Sequence, residues 1–120
     1  MKKLLLMLSI VFVSLVGCSN DSLQFKGESD HWKGKYTTKI DGTSEEGQFE
    51  FRFKDGKQMK KNLEISIDKG NGLTILKESE SNKSVITTPQ SCSGCSVTKD
   101  SAVFKVTIKW DEYEETFELK

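Results

Sequence analysis

The chain has 120 residues, with 18 Lys and Arg against 18 Asp and Glu and a formal net charge of zero. That length bounds it to one domain of ordinary size, able to remove roughly 60 to 70% of its unfolded surface from water. A basic domain or stripe is missing, which excludes the electrostatic footprint of a nucleic-acid binder. Charges of both signs alternate along the chain, as on a solvated face.

Met1-Lys2-Lys3 precedes a mostly apolar run from Leu4 to Val16. A basic start and an apolar run of this kind make an export signal, expected to form a signal helix. At about 13 residues the run is shorter than the roughly 20 that span a bilayer, and Ser19-Asn20-Asp21-Ser22 ends it. No Ala-x-Ala-like cleavage site is present. Instead Leu15-Val16-Gly17 leads directly to Cys18, and these four residues resemble the lipobox of the bacterial lipoprotein signal family. The resemblance covers only this segment. It implies thioether attachment of a diacylglyceryl group to Cys18 and cleavage between Gly17 and Cys18, where the small side chain of Gly17 leaves the bond accessible. The alternative is a buried cysteine at the end of a signal anchor. Each buried methylene contributes about 0.8 kcal/mol and one myristoyl chain binds only reversibly, so two chains make residence long. Loss of Lys2 and Lys3 leaves 16 basic residues against 18 acidic ones, a mature charge of about −2.

The expected organisation is therefore a signal peptide over 1–17, a lipidated cysteine and polar tether over 18–30, and a folded domain over 31–120. Ser19 to Glu28, with a lone Phe25, has the composition of a tether.

From His31 the pattern changes to period two. Trp32, Tyr36, Thr38 and Ile40 share one parity, and Lys33, Lys35, Thr37 and Lys39 the other, which describes a half-buried strand. Asp41 to Gly47 is expected as a loop. Phe49, Phe51 and Phe53 then alternate with Glu50, Arg52 and Lys54, the strongest single strand signal. A tight Asp55-Gly56 hairpin would set Gln58, Lys60 and Asn62 opposite the phenylalanines. Register follows the buried face, so Leu63, Ile65 and Ile67 are the expected partners, reached by a longer connection over 54–62. Asp68 to Gly72 is a turn, Leu73 to Leu76 a short strand, Lys77 to Lys83 a polar loop, and Ser84 to Thr88 a strand stopped by Pro89. At the C-terminus a two-residue loop at Asp111-Glu112 pairs Trp110 with Tyr113, Val106 with Phe117 and Phe104 with Leu119. The other face then pairs Lys109 with Glu114, Thr107 with Thr116 and Lys105 with Glu118, each contact worth roughly 0.2 to 1 kcal/mol. Glu115, opposite Ile108, is the one misfit. About seven short strands and no helix-period segment after the signal argue an all-β antiparallel sandwich. An immunoglobulin-like arrangement is one form of it, although no Cys-Trp-Cys spacing supports an antibody-type domain.

Cys92-Ser93-Gly94-Cys95 is the one candidate reactive motif. With Cys18 taken by lipid, Cys92 and Cys95 are an even pair in an oxidising compartment. A structural loop disulfide is the first reading, with a redox-active dithiol and a thiolate metal site as alternatives. The redox reading lacks the helix N-terminus that lowers a thiol pKa. A zinc site needs four ligands, and His31 is the only histidine to add. His31 and Trp32 form a candidate ligand-contacting edge. The plainer alternative makes Trp32 the first core residue, with Gly27 to Asp30 its solvated approach. This segment, the C-x-x-C and the last hairpin together resemble small Gram-positive lipoproteins, a family that supplies no active site to transfer.

Asp68 to Gly72 lacks the alternate carboxylates of a calcium loop. There is no G-x-S-x-G, and one histidine supports little triad logic. Glu114 and Glu115 are on opposite faces of one strand and make no catalytic dyad. The expectation is a non-enzymatic, extracytoplasmic lipoprotein without metal or cofactor. Its membrane contact runs through the lipid on Cys18, and it recognises an envelope protein or small ligand, not nucleic acid. A thiol–disulfide or metal-handling role at Cys92 and Cys95 is the alternative.

Overall fold

Alternating apolar residues along short polar-flanked segments can bury one face each, and two such layers bury both against each other. The computed structural model describes residues 21–68 and 73–120. The expected signal helix, Gly17, Cys18 and positions 69–72 of the expected turn lie outside the described residues. Eight strands are described: β1 (Asp21–Glu28), β2 (Trp32–Asp41), β3 (Ser44–Phe53), β4 (Lys60–Asp68), β5 (Leu73–Ser81), β6 (Val85–Ser93), β7 (Phe104–Trp110) and β8 (Tyr113–Leu119). They form two four-stranded sheets, β1-β2-β3-β6 and β5-β4-β7-β8, with every pairing antiparallel. The chain is an all-β antiparallel sandwich.

The inner face of the first sheet carries Phe25, Trp32, Tyr36, Phe49, Phe51, Phe53 and Ile86, and the second answers with Leu63, Ile65, Ile67, Phe104, Val106, Ile108, Trp110, Phe117 and Leu119, all buried. The rings interlock at the middle of the core. Tyr36 stacks on Phe49 with centroids 4.2 Å apart and meets Phe104 edge-on at 5.2 Å, geometries that add to plain area burial.

The C-terminal hairpin has the expected register at all its pairs, from Trp110–Tyr113 to Phe104–Leu119. Four other expectations are corrected. The stretch expected as a tether contains β1, paired with β2 from Asp21–Ile40 to Glu28–Lys33; Phe25 is buried against Tyr36 and Phe104. The Asp41–Gly47 loop shrinks to Gly42-Thr43, with Gly42 at φ +61° closing a tight turn. Leu63, Ile65 and Ile67 do not pair with the phenylalanines, because β3 and β4 belong to different sheets and meet them face to face across the core. Finally, β5 continues to Ser81 and β6 runs through Pro89 to Ser93. Proline is tolerated there because β6 is an edge, where the missing N–H removes no central ladder bond.

Strand order also differs from the immunoglobulin arrangement, which sends its third strand to the second sheet. Here β1, β2 and β3 form a meander in one sheet. The sheets join along one side, where Lys26 and Lys120 exchange backbone hydrogen bonds of 3.1 and 3.3 Å. That contact covers the edges of β1 and β8, which would otherwise offer open pairing sites.

Candidate functional site

The two ends of the sandwich carry different chemistry. At one end the β1–β2 turn (Ser29 to His31) sits over the start of β8. Glu115, the misfit of the last hairpin, points inward at this rim and accepts hydrogen bonds from Ser29 Oγ (2.6 Å), the His31 amide (2.9 Å) and His31 Nδ1. On its other side His31 Nε2 lies 4.0 Å from Asp55 Oδ2. The hydrogen bond to Glu115 raises the His31 pKa above the ordinary imidazole value against partial burial, helped by the charges of Glu115, Asp55 and Asp30. Burial pushes the Glu115 carboxyl up, but hydrogen bonds from Ser29 and His31 outweigh it and hold the pKa below the usual range.

A histidine–carboxylate pair suggests base chemistry, so the arrangement around it matters. A base activates a nucleophile through the nitrogen that the carboxylate does not hold. Here Ser29 bonds the carboxylate, and the free nitrogen faces a second acid. The group is a charged clasp, and it assembles no nucleophile-activating triad.

Beside the clasp is a concavity of about 230 Å³, lined by His31, Asp55, Met59, Lys60, Trp110 and Tyr113 among others. Met59 and Tyr113 remain 52% and 60% exposed. Tyr113 stacks on Trp110 at 5.3 Å and leans toward His31 at 6.3 Å. Below them Lys60 is buried, its ammonium 4.6 Å from the centre of the Phe53 ring and bonded to the carbonyls of Gln58 (2.9 Å) and Lys83 (3.0 Å). Burial lowers its pKa. Asn62, at φ +52°, interrupts the alternation of β4 so that Lys60 and Leu63 both face inward.

At the opposite end the first sheet extends past the core, and the β6–β7 connection covers it. Glu45, expected in a loop, is an inward-facing residue of β3 and is 7% exposed. Its carboxylate accepts from the Thr98 amide (2.7 Å), Thr98 Oγ1 (2.7 Å), Tyr36 Oη (2.7 Å) and Thr38 Oγ1 (2.9 Å). Burial raises the Glu45 pKa, but those bonds together overcome it and leave the pKa lowered. Burial and the neighbouring carboxylate push the Tyr36 phenol up to about 12. Cys92 pairs with Cys95 as a disulfide at the mouth of a cleft of about 600 Å³, whose lining includes Tyr36, Glu45, Gln90, Thr98 and Phe104.

Of the sequence-derived candidates, Cys92 and Cys95 are brought together. His31 and Trp32 part company: the His31 side chain is 41% exposed on the rim, whereas Trp32 is wholly buried. Trp32 is a core residue packed against Phe53 and Trp110, so it cannot contribute to a ligand-contacting edge. Among the described residues no three His, Cys, Asp or Glu side chains converge as a metal-ligand set, and His31 stands at the end away from the disulfide. Ser29, Asp55, Met59, Tyr113 and Glu45 gave no signal of a site in the sequence pattern. Glu115 did, as an acid at an inward parity. No family model matches the chain, and neither does any curated protein or solved structure.

Proposed function

We propose that this protein is a lipid-anchored extracytoplasmic binding module, held in the membrane through Cys18 and recognising an envelope protein or small ligand at the rim around His31, Met59 and Tyr113. The observation that carries the recognition reading is the grouping of Met59 and Tyr113, both more than half exposed, around one concavity with His31. Large apolar side chains are kept in water at a cost and mark contact sites when they cluster. Tyrosine also supplies contact area with little rotamer entropy to lose. The anchor rests on Leu15-Val16-Gly17-Cys18.

A photoreactive phenylalanine analogue at position 113 tests the rim in native cells. A discrete adduct at 113 is expected, absent with the same analogue at Lys77 on the far sheet edge and lost on Met59→Ser. Absence of any adduct specific to 113 removes the rim reading. Mass spectrometry of the native N-terminus, showing diacylglyceryl-Cys18 or an unmodified leader, decides the anchor separately. The second reading, thiol–disulfide exchange at Cys92 and Cys95, is favoured by one observation: Cys92 is exposed at the mouth of the cleft.

A further inference from the structure

We propose that the end of the sandwich carrying the Cys92–Cys95 loop is a membrane-facing foot, seated on the lipid headgroups, with the His31–Tyr113 rim held about 30 Å away at the far ends of strands that rise 3.2 to 3.4 Å per residue. This rests on the lipidation of Cys18 proposed above.

Three covalent steps join Cys18 to Asp21, where β1 begins. An extended chain covers at most about 3.6 Å per residue, so the Cα of Cys18 can be no more than about 11 Å from that of the first paired residue. Asp21 is opposite Ile40, Ile40 opposite Glu45, and Glu45 opposite Cys92. These four residues stand abreast across the sheet, spanning about 14 Å at the usual strand spacing. The anchor, the Gly42-Thr43 turn and the disulfide loop therefore share one end of the molecule. A long flexible tether would leave the stance free, and the start of β1 at Asp21 leaves no length for one.

The foot is also built for close approach. The Gly94 and Cys95 amides donate to the Thr43 carbonyl at 3.0 and 3.3 Å, tying its two turns together. Its leading residues, Gly42, Thr43, Ser93 and Gly94, are small and uncharged. The opposite end is crowded with Lys54, Asp55, Lys57, Asp111, Glu112 and Glu114. Among the described residues around the foot, Lys39 and Lys99 are outnumbered by Asp41, Glu46 and Asp100, so no electrostatic attraction to anionic lipid is expected from them. The seat follows from the covalent anchor and its short reach.

Asp41→Cys, Lys33→Cys and Glu112→Cys, made singly, can each carry a fluorophore, because Cys18 is consumed by lipid and the native pair is bonded. The lipidated protein is reconstituted into phosphatidylcholine–phosphatidylglycerol vesicles containing a headgroup quencher, and flotation is read on the same samples. Quenching should fall in the order 41, 33, 112, with at least a threefold difference between the first and last. Floating protein with equal or inverted quenching overturns the stance while leaving the anchor intact. Native protein that carries no lipid on Cys18 and fails to float overturns the anchor, and the stance with it.

Discussion

Glu115 on β8 holds His31 on the β1–β2 turn through both its amide and its ring, closing one end of the sandwich across 84 residues of chain. The folded His31 pKa is raised from 6.5, so its contribution is complete below that value and is lost as pH rises through the folded pKa. The folded Glu115 pKa is lowered from 4.5, so its contribution is present above that value and is lost as pH falls through the folded one. The clasp is strongest between about pH 4.5 and 6.5. Glu115→Gln keeps the shape and removes the charge. The imidazole pKa, followed by NMR on the single histidine, should fall toward its ordinary value, and stability at pH 6 should drop by about 1 to 2 kcal/mol. An unchanged His31 titration would show that the carboxylate does not hold the ring.

Glu45 is the acceptor for three side-chain hydroxyls and one amide, and these donors come from β2 and from the β6–β7 connection. Glu45→Ala strands Tyr36 Oη and both Thr98 donors, while Thr38 Oγ1 keeps the Glu46 carbonyl at 3.2 Å; the cost is about 1 to 3 kcal/mol for each buried donor left unpaired. Part of that cost is recovered as water enters the adjoining cleft, so we expect a net loss of about 3 kcal/mol in urea denaturation. Amide exchange should quicken at Thr98 ahead of the core strands. Because the folded Glu45 pKa is depressed, its contribution is lost as pH falls through the folded value. Tyr36 acts at the alkaline side: with its phenol raised to about 12, its contribution is present below the unfolded pKa near 10 and disappears as pH rises through the folded one. Tyr36→Phe should abolish the highest step in the ultraviolet phenolate titration.

What was legible in the sequence, and what was not, follows from what a period of two can report. It reports faces, so the inward set at Phe49, Phe51 and Phe53 and the whole register of the β7–β8 hairpin came through. It does not report which sheet a strand joins: Leu63, Ile65 and Ile67 have the right face to meet the phenylalanines either as ladder neighbours or across the core, and the structure has the latter. The pattern weakens wherever an inward position is not apolar. Gly27 on β1, Glu45 and Gly47 on β3, and Lys60 on β4 are such positions, and there a tether, a loop and a connection were expected in place of strand. Each has a packing or bonding partner distant in sequence, which single-chain periodicity cannot see. The rim was half visible, because Glu115 broke an otherwise consistent hairpin; Met59, in a connection, carried no pattern at all.

Gly27 is one of those long-range cases. A Cβ there would stand 1.9 Å from the Glu118 carbonyl oxygen and 2.8 Å from its carbon. Both are backbone atoms, so β1 and β8 must separate and the Lys26–Lys120 bonds with them. Gly27→Ala should cost about 1 to 3 kcal/mol, the range for overpacking, and should expose two strand edges. A fall in the urea midpoint accompanied by faster exchange at the Lys26 and Lys120 amides checks this; a neutral variant would mean that the seam between the sheets adapts freely.

The Cys92–Cys95 bond closes a loop of only four residues, for which loop-closure entropy gives about 2 kcal/mol, against about 3 for a 15-residue loop. Two other sets of contacts already hold the same connection. The Gly94 and Cys95 amides bond the Thr43 carbonyl, and Thr98 bonds Glu45 through amide and hydroxyl. Reduction should therefore lower stability by no more than about 2 kcal/mol, and Cys92→Ser with Cys95→Ser should fold with unchanged β content. Thiol titration separates this bracing role from exchange chemistry. A bracing disulfide yields no free thiol in a glutathione buffer poised near −200 mV, because structural bonds sit below about −300 mV. A pair half-reduced in that buffer, with one thiol reacting well below the ordinary cysteine pKa, would instead place thiol–disulfide exchange at this end of the sandwich.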